Sequence, residues 1–173
     1  MSLQPKLDLD KMSSNVPTVQ SISWPSFLIV FAIVIAFLFG YEYIAKTDDI
    51  FNGVMIFCVI ALVLRMTIPR SHRKGMKALK QNDFESAIGY FKDSVDYFIR
   101  NRWVDKYRVI TVLSSSKMSF REMGLCNIAF CYSQTGQAEK AKALYEQVLE
   151  EYPDNGIAYY ALNSINTFSN KAD

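Results

Sequence analysis

The chain has 173 residues, half of them hydrophobic, and a net charge of +2. This length suits one modest domain with an anchor, and three cysteines without paired spacing argue against a disulfide framework and favour a reducing compartment. Charge is segregated, with a net charge of −2 over residues 1–64, +8 over residues 65–121 and −4 over residues 122–173. A basic block therefore follows the most apolar part of the chain, residues 24–68.

Two apolar segments predict a transmembrane hairpin after a flexible N-terminal tail, residues 1–23. The segments cover about residues 24–45 and 50–68, and a short polar turn joins them. About 20 apolar residues are enough to cross a hydrocarbon core of about 30 Å. A cleaved signal peptide fits poorly, because no cleavage site of small residues follows the first segment. A re-entrant or membrane-surface hairpin stays open as the alternative.

The basic block directly after the second segment predicts the topology. Its members are Arg65, Arg70, Arg73, Lys74, Lys77 and Lys80. Because positive residues stay on the cytoplasmic side, we expect both termini in the cytoplasm and an integral protein of a bacterial inner membrane. A membrane-surface basic patch is predicted from Arg65, Arg70, Arg73, Lys74, Arg100 and Arg102. Nucleic acid is not expected as a partner, since these cations are interleaved with helix-core residues.

Clear helix signals begin at Ser119, which forms a capping-box pattern with Glu122. Gly136 then predicts a helix end, and Pro153 closes a second helix. Apolar residues at repeat spacing are Leu125, Ile128, Ala129, Tyr132, Ala141 and Tyr145. Together with Pro153, this pattern resembles a tetratricopeptide repeat (TPR), a helix-turn-helix unit of 34 residues.

Weaker copies flank this repeat. Before it, Gly75, Ala87 and Phe91 fall at family positions, and after it residues 156–168 predict one further helix that caps the stack. An insertion near residues 100–118 separates the repeats. We expect it to lengthen the helix from Phe84 to about Tyr107 before a loop, although its β-branched stretch would also suit a strand.

The predicted fold class is therefore all-α. It consists of an N-terminal two-helix transmembrane hairpin followed by a short TPR-like α-α superhelix with a terminal capping helix. The TPR-like domain is expected over residues 69–173.

The resemblance implies a binding groove on the first helix of each repeat. Its predicted members are Met76, Lys80, Met123, Cys126, Phe130, Gln134 and Tyr160. Related modules that grip acidic tails use a clamp of Lys, Arg and Asn, and the clearest repeat has none of these at its groove positions. Met and aromatic residues suit an amphipathic helix or an apolar peptide instead.

Residues with catalytic chemistry are sparse. His72, the only histidine, is expected at the surface or an interface, and Cys126 and Cys131 are expected to pack helices. No metal-ligand spacing or Gly-rich phosphate loop is present, so we predict no enzyme, cofactor, metal or small-molecule substrate.

The predicted function is a non-catalytic, membrane-tethered protein–protein interaction adaptor. It would hold a protein partner or self-associate, and it would contact membrane lipid through the hairpin. One alternative is an accessory or assembly subunit of a larger membrane complex, bound through the hairpin. A cryptic enzyme is the third interpretation.

Overall fold

The computed structural model describes residues 23–46 and 49–169, and in that part of the chain the regular structure is helical, with no strand. The helices are α1 (Trp24–Ala45), α2 (Ile50–Thr67), α3 (Arg70–Lys80), α4 (Phe84–Arg100), α5 (Arg102–Lys106), α6 (Arg108–Thr111), α7 (Phe120–Gln134), α8 (Ala138–Glu151) and α9 (Gly156–Ser169). The all-α class is confirmed. The predicted flexible tail lies outside the described residues except for Ser23.

Helices α1 and α2 coincide with the two apolar segments and pack against each other. Gly53 permits a close approach, because a Cβ atom there would lie 2.8 Å from Tyr41 Cδ1. The rings of Phe37 and Phe57 add a contact at 5.3 Å between centroids. Asp49 caps α2 by accepting a hydrogen bond from the Asn52 amide.

Both helices are long and apolar enough to cross a membrane, judged by length and composition. Their most apolar windows are 0% and 6% buried within the protein. The core helix of a soluble protein would have most of its apolar side chains covered, so these helices are not core helices of the described fold. A signal sequence would pass the same test of length and composition.

The remaining helices form a stack of antiparallel pairs. Helix α3 packs on α4, α4 on α7, α7 on α8, and α8 on α9. Positive backbone φ angles follow the ends of α3 and α7, at Asn82 (58°) and Gly136 (72°), and the helix end at Gly136 is the one that the sequence predicts. Buried apolar side chains from all of these helices form one core, with Phe91 and Tyr145 among the largest.

The insertion between α4 and α7 differs from the prediction. Helix α4 ends at Arg100, not near Tyr107, and the Asn101 side chain donates to the Tyr97 carbonyl oxygen at 2.9 Å. Two short helices, α5 and α6, follow in place of a longer α4 or a strand.

The bend after α4 is stabilised by Asp105, on α5. Its Oδ1 and Oδ2 atoms accept hydrogen bonds from the backbone amides of Phe120, at 2.8 Å, and Arg121, at 3.0 Å. A straight extension of α4 would carry this carboxylate along the axis of α4 and away from the N-terminus of α7. The amides at that terminus have no partner within their own helix, and a carboxylate is well suited to satisfy them.

The segment after α6 connects the repeats to the hairpin. Arg65, near the end of α2, donates from Nη2 to the Leu113 carbonyl oxygen at 2.7 Å. The Ser23 amide, just before α1, donates to the Ser115 carbonyl oxygen at 2.9 Å. Arg108 holds this segment in shape by donating to the carbonyl oxygens of Ser116 and Lys117. The insertion is therefore a bridge between the ends of the hairpin and the helical stack.

Candidate functional site

The predicted groove lies along the first helices of the pairs, α3, α7 and α9. On α3, Met76 is half-buried and its Sδ accepts a hydrogen bond from Asn127 Nδ2 of α7 at 3.6 Å. On α7, Phe130 is half-buried with its ring 6.4 Å from that of Phe84. Both side chains are partly buried and pack against the main core.

The more polar members of the predicted groove are accessible. Lys80, Gln134 and Tyr160 are all exposed, and Tyr160 exposes 71% of its surface. Tyr160 also makes an edge contact with Tyr159 at 5.5 Å between ring centroids. Met123 is placed differently, because it packs with Ile68 against a second cluster around Phe98 and Phe120.

Cys126 does not line a groove, which corrects its predicted position. It is only 3% exposed, because Asn155 at the start of α9 covers it, with Asn155 Nδ2 3.4 Å from Cys126 Sγ. The same amide donates to Glu122 Oε1 at 2.8 Å, and its Oδ1 caps α9 by accepting from the Ala158 amide. Asn155 was missed in the sequence, although an Asn just before a helix is a common N-cap signal.

His72 is buried rather than exposed, which corrects a second expectation. Its ring lies edge-on between Phe91, at 5.4 Å, and Phe120, at 5.5 Å, and it is 8% exposed. Its Nδ1 atom has no hydrogen-bond partner within the described residues. Burial lowers the pKa of this imidazole to about 4, because desolvation disfavours the charged form. The neutral ring therefore serves as an aromatic packing group at neutral pH.

The two cysteines of α7 are buried and unactivated. Burial raises the pKa of the Cys126 thiol to about 12 and that of Cys131 to about 11. A nucleophilic cysteine needs a depressed pKa, so neither thiol is poised for attack near neutral pH. Across residues 23–46 and 49–169, no group of three or more His, Cys, Asp or Glu side chains is arranged to hold a metal ion.

The predicted basic patch is split by the structure. Arg70, Arg73 and Lys74 lie on the exposed side of α3, where Lys74 Nζ is 5.6 Å from the centre of the Tyr90 ring. Arg65 lies apart from them and donates a hydrogen bond to the Leu113 carbonyl oxygen. Arg100 and Arg102 are exposed at the start of the insertion.

A cleft of about 480 Å³ lies between α4 and α8 above α7. Its floor is apolar and includes Leu125, Ile128 and Leu144, whereas Asp96 and Gln147 are among its polar members. Lys92 and Lys140 also line the cleft, and both hold their ammonium groups within 6 Å of the Tyr132 ring centre, at 5.9 and 5.6 Å. This outer cleft was not predicted, because its walls come from helices far apart in sequence.

Comparison with known families identifies one repeat, in the helical pair α7 and α8. Residues 125–155 match the family model of the tetratricopeptide repeat, so the predicted resemblance is confirmed for α7 and α8. Comparison with curated proteins and with solved structures gave no significant match. Stacked repeats of this kind present extended surfaces that other proteins bind, and the repeat therefore indicates a protein-interaction module.

Proposed function

We propose that this chain, with its tetratricopeptide repeat at residues 125–155, is a membrane-tethered adaptor that binds a protein partner. Residues 24–68 would be the anchor and residues 69–173 the cytoplasmic binding domain. The role is non-catalytic and uses no cofactor, nucleic acid or small-molecule substrate. The observation that supports it best is the repeat itself, which forms the middle of the helical stack from α3 to α9.

The binding surface proposed here is the accessible part of the groove. Met76 and Phe130 supply an apolar floor between α3 and α7, and Lys80, Gln134 and Tyr160 supply exposed side chains around it. Aromatic and Met side chains bury large areas and adapt to a partner at low cost. The partner chemistry that fits is an amphipathic helix or apolar peptide, including one from a second copy of this chain.

Two features support membrane tethering. No residue of α1 is buried by the protein, and Gly53 is the one buried residue of α2, as expected for helices whose outer sides face lipid. Arg65 and Ser23 also donate hydrogen bonds from the ends of the hairpin to the segment after α6. Tethering would raise the local concentration of the groove for partners in the same membrane. The basic residues after α2 support a cytoplasmic location of the domain, and we propose a bacterial inner membrane as the location of the hairpin.

Site-specific photo-crosslinking in the native membrane tests the proposal. A photoreactive phenylalanine analogue is placed at Gln134 or Tyr160 in the groove, and at Ala143 or Gln147 beside the outer cleft as matched controls. We expect one discrete partner band from both groove positions and none from the controls. Crosslinks from the outer positions alone would move the binding surface to the cleft, and the groove assignment would be wrong.

The same experiment separates the hairpin alternative. An analogue at Val59, which is exposed on α2, reports on contacts within the membrane. An accessory subunit held through its hairpin would crosslink from Val59 and not from Gln134 or Tyr160. That result would replace the adaptor proposal with the accessory-subunit interpretation.

A further inference from the structure

The insertion exposes an unusual row of large side chains. Trp103, on α5, is 62% exposed, and Ile110, on α6, is 59% exposed. Tyr107, at the turn between the two helices, is 52% exposed. The Tyr107 amide donates to the Trp103 carbonyl oxygen at 3.0 Å, and the Ile110 amide donates to the Tyr107 carbonyl oxygen at 2.8 Å. Each successive pair is therefore one turn apart, which brings the three side chains near one another. We call these three residues the insertion face.

The opposite side of the segment is fixed in the fold. Val104 is 4% exposed and packs in the second cluster, and the carboxylate of Asp105 is bonded to the start of α7. The insertion face is therefore held outward by buried contacts. Rotating the segment to bury Trp103 would expose Val104 and leave amides of α7 unpaired. An aromatic row held outward in this way indicates a contact with something outside the described chain.

The position of the insertion indicates what that contact is. Helix α6 packs against α1, and the segment after it accepts hydrogen bonds from Ser23 and Arg65. Ser23 immediately precedes α1, and Arg65 lies in the last turn of α2, which ends at Thr67. The insertion is thus attached at the ends of both helices, where a hydrocarbon core would give way to headgroups.

The charge next to the insertion face matches an anionic surface. Arg102 and Lys106 are exposed beside it, on the neighbouring side of α5, and Arg100 precedes them. Residues 65–121 contain thirteen Lys and Arg against five Asp and Glu. Trp and Tyr partition into the interfacial zone of a bilayer, and nearby cations bind the phosphates of anionic lipids.

We propose that the insertion face is a lipid-binding surface that lies on an anionic bilayer beside the hairpin. Trp103 and Tyr107 occupy the interfacial zone, Ile110 reaches the upper acyl chains, and Arg102 and Lys106 bind headgroup phosphates. This inference rests on the proposed anchoring and adds a second attachment that holds the helical stack at a set angle to the membrane. Lipid contact, and not a protein partner, is the occupant that the position and charge favour.

The chain offers a direct test because Trp24 and Trp103 are its two tryptophans. Trp24→Phe leaves Trp103 as the reporter for the insertion face, and Trp103→Phe leaves Trp24 as the reporter for the hairpin. Each full-length variant is reconstituted into vesicles of phosphatidylcholine, with or without phosphatidylglycerol, using acyl chains that are either brominated or not. Bromine quenches tryptophan fluorescence only at close range.

We expect brominated lipid to cause a roughly twofold or larger loss of Trp103 fluorescence in anionic vesicles, as interfacial tryptophans lie within reach of the upper chains. The loss should be smaller in neutral vesicles. The double change Arg102→Glu and Lys106→Glu should reduce the quenching of Trp103 in anionic vesicles. The control double change Lys140→Glu and Lys142→Glu, on α8, should leave that quenching unchanged. Circular dichroism of each variant checks that its helix content is retained.

The two tryptophans separate the possible failures. Quenching of Trp24 without quenching of Trp103 would overturn the lipid-binding proposal and leave the anchor in place. Absence of quenching at Trp24 would overturn the anchor itself. Equal quenching of Trp103 in both lipid mixtures, unaffected by charge reversal, would overturn the anionic surface proposed here.

Discussion

Gly75 and Gly89 offer a test of the helical stack in which one chemical change has different consequences. Both lie inside helices, on α3 and α4. A Cβ atom at Gly75 would lie 2.7 Å from Cδ1 and from Cε1 of Phe91, which is fully buried, whereas a Cβ atom at Gly89 meets nothing within 4 Å. Replacement by Ala therefore overpacks the core at Gly75 and enters open space at Gly89.

The magnitudes follow from two terms. Ala favours a helix interior over Gly by about 0.5–1 kcal/mol, and this gain applies at both positions. Overpacking a rigid core costs about 1–3 kcal/mol, and it applies only at Gly75. We expect Gly89→Ala to raise the free energy of unfolding by about 0.5–1 kcal/mol. The free energy of unfolding of the Gly75→Ala variant should be about 1–3 kcal/mol lower than that of the Gly89→Ala variant.

The assay is denaturant unfolding of the full chain in detergent micelles, followed by helical circular dichroism. Phe91→Leu combined with Gly75→Ala provides the control, because a smaller side chain should relieve the clash and give a favourable coupling energy between the two changes. Equal free energies of unfolding for Gly75→Ala and Gly89→Ala would refute the packing of α3 on α4. So would a double variant that shows no coupling.

Three further predictions concern buried polar groups. Asp105→Ala should lower the free energy of unfolding by about 2–4 kcal/mol, because it leaves amides of α7 unpaired. The control Asp96→Ala, at an exposed position, should change it by no more than about 0.5 kcal/mol. Similar losses for both variants in the same denaturant assay would contradict the capping role of Asp105. Asn155→Ala should cost about 1–2 kcal/mol by removing the cap of α9, and hydrogen exchange should then show faster opening of α9 than of α4. Since the pKa of His72 falls from 6.5 to about 4 on folding, the unfolded chain binds a proton that the native chain does not, and stability should drop by up to about 3 kcal/mol as pH falls through this range. His72→Gln should flatten that dependence between pH 6.5 and 5, and an unchanged slope would show that other groups cause it.

Local patterns in the sequence predicted the helices well where neighbours along the chain decide the structure. The capping box of Ser119 and Glu122 is present as predicted, with each side chain bonded to the backbone of the other residue. Gly136 adopts the positive φ that a helix end requires. These features depend on contacts within four residues, and a single sequence contains that information.

The errors concern residues whose surroundings come from distant parts of the chain. Helix α4 stops at Arg100 because Asp105 binds amides 15 and 16 residues later, and no local signal reveals that pairing. Cys126 is buried because Asn155, 29 residues away, covers it. His72 is enclosed by rings from α4 and α7. Long-range packing of this kind overrides local pattern, and it also created the outer cleft and the insertion face.

Membrane topology is the central claim, and cysteine labelling measures it most directly. In a Cys58→Ala background, Lys46→Cys places a thiol at the turn of the hairpin, and Gln147→Cys places one on exposed α8. Intact cells are treated with a membrane-impermeant maleimide before and after permeabilisation of the inner membrane. We expect labelling at position 46 in intact cells and at position 147 only after permeabilisation. Labelling at 147 from outside, or the same accessibility at both positions, would contradict a spanning hairpin with a cytoplasmic TPR domain.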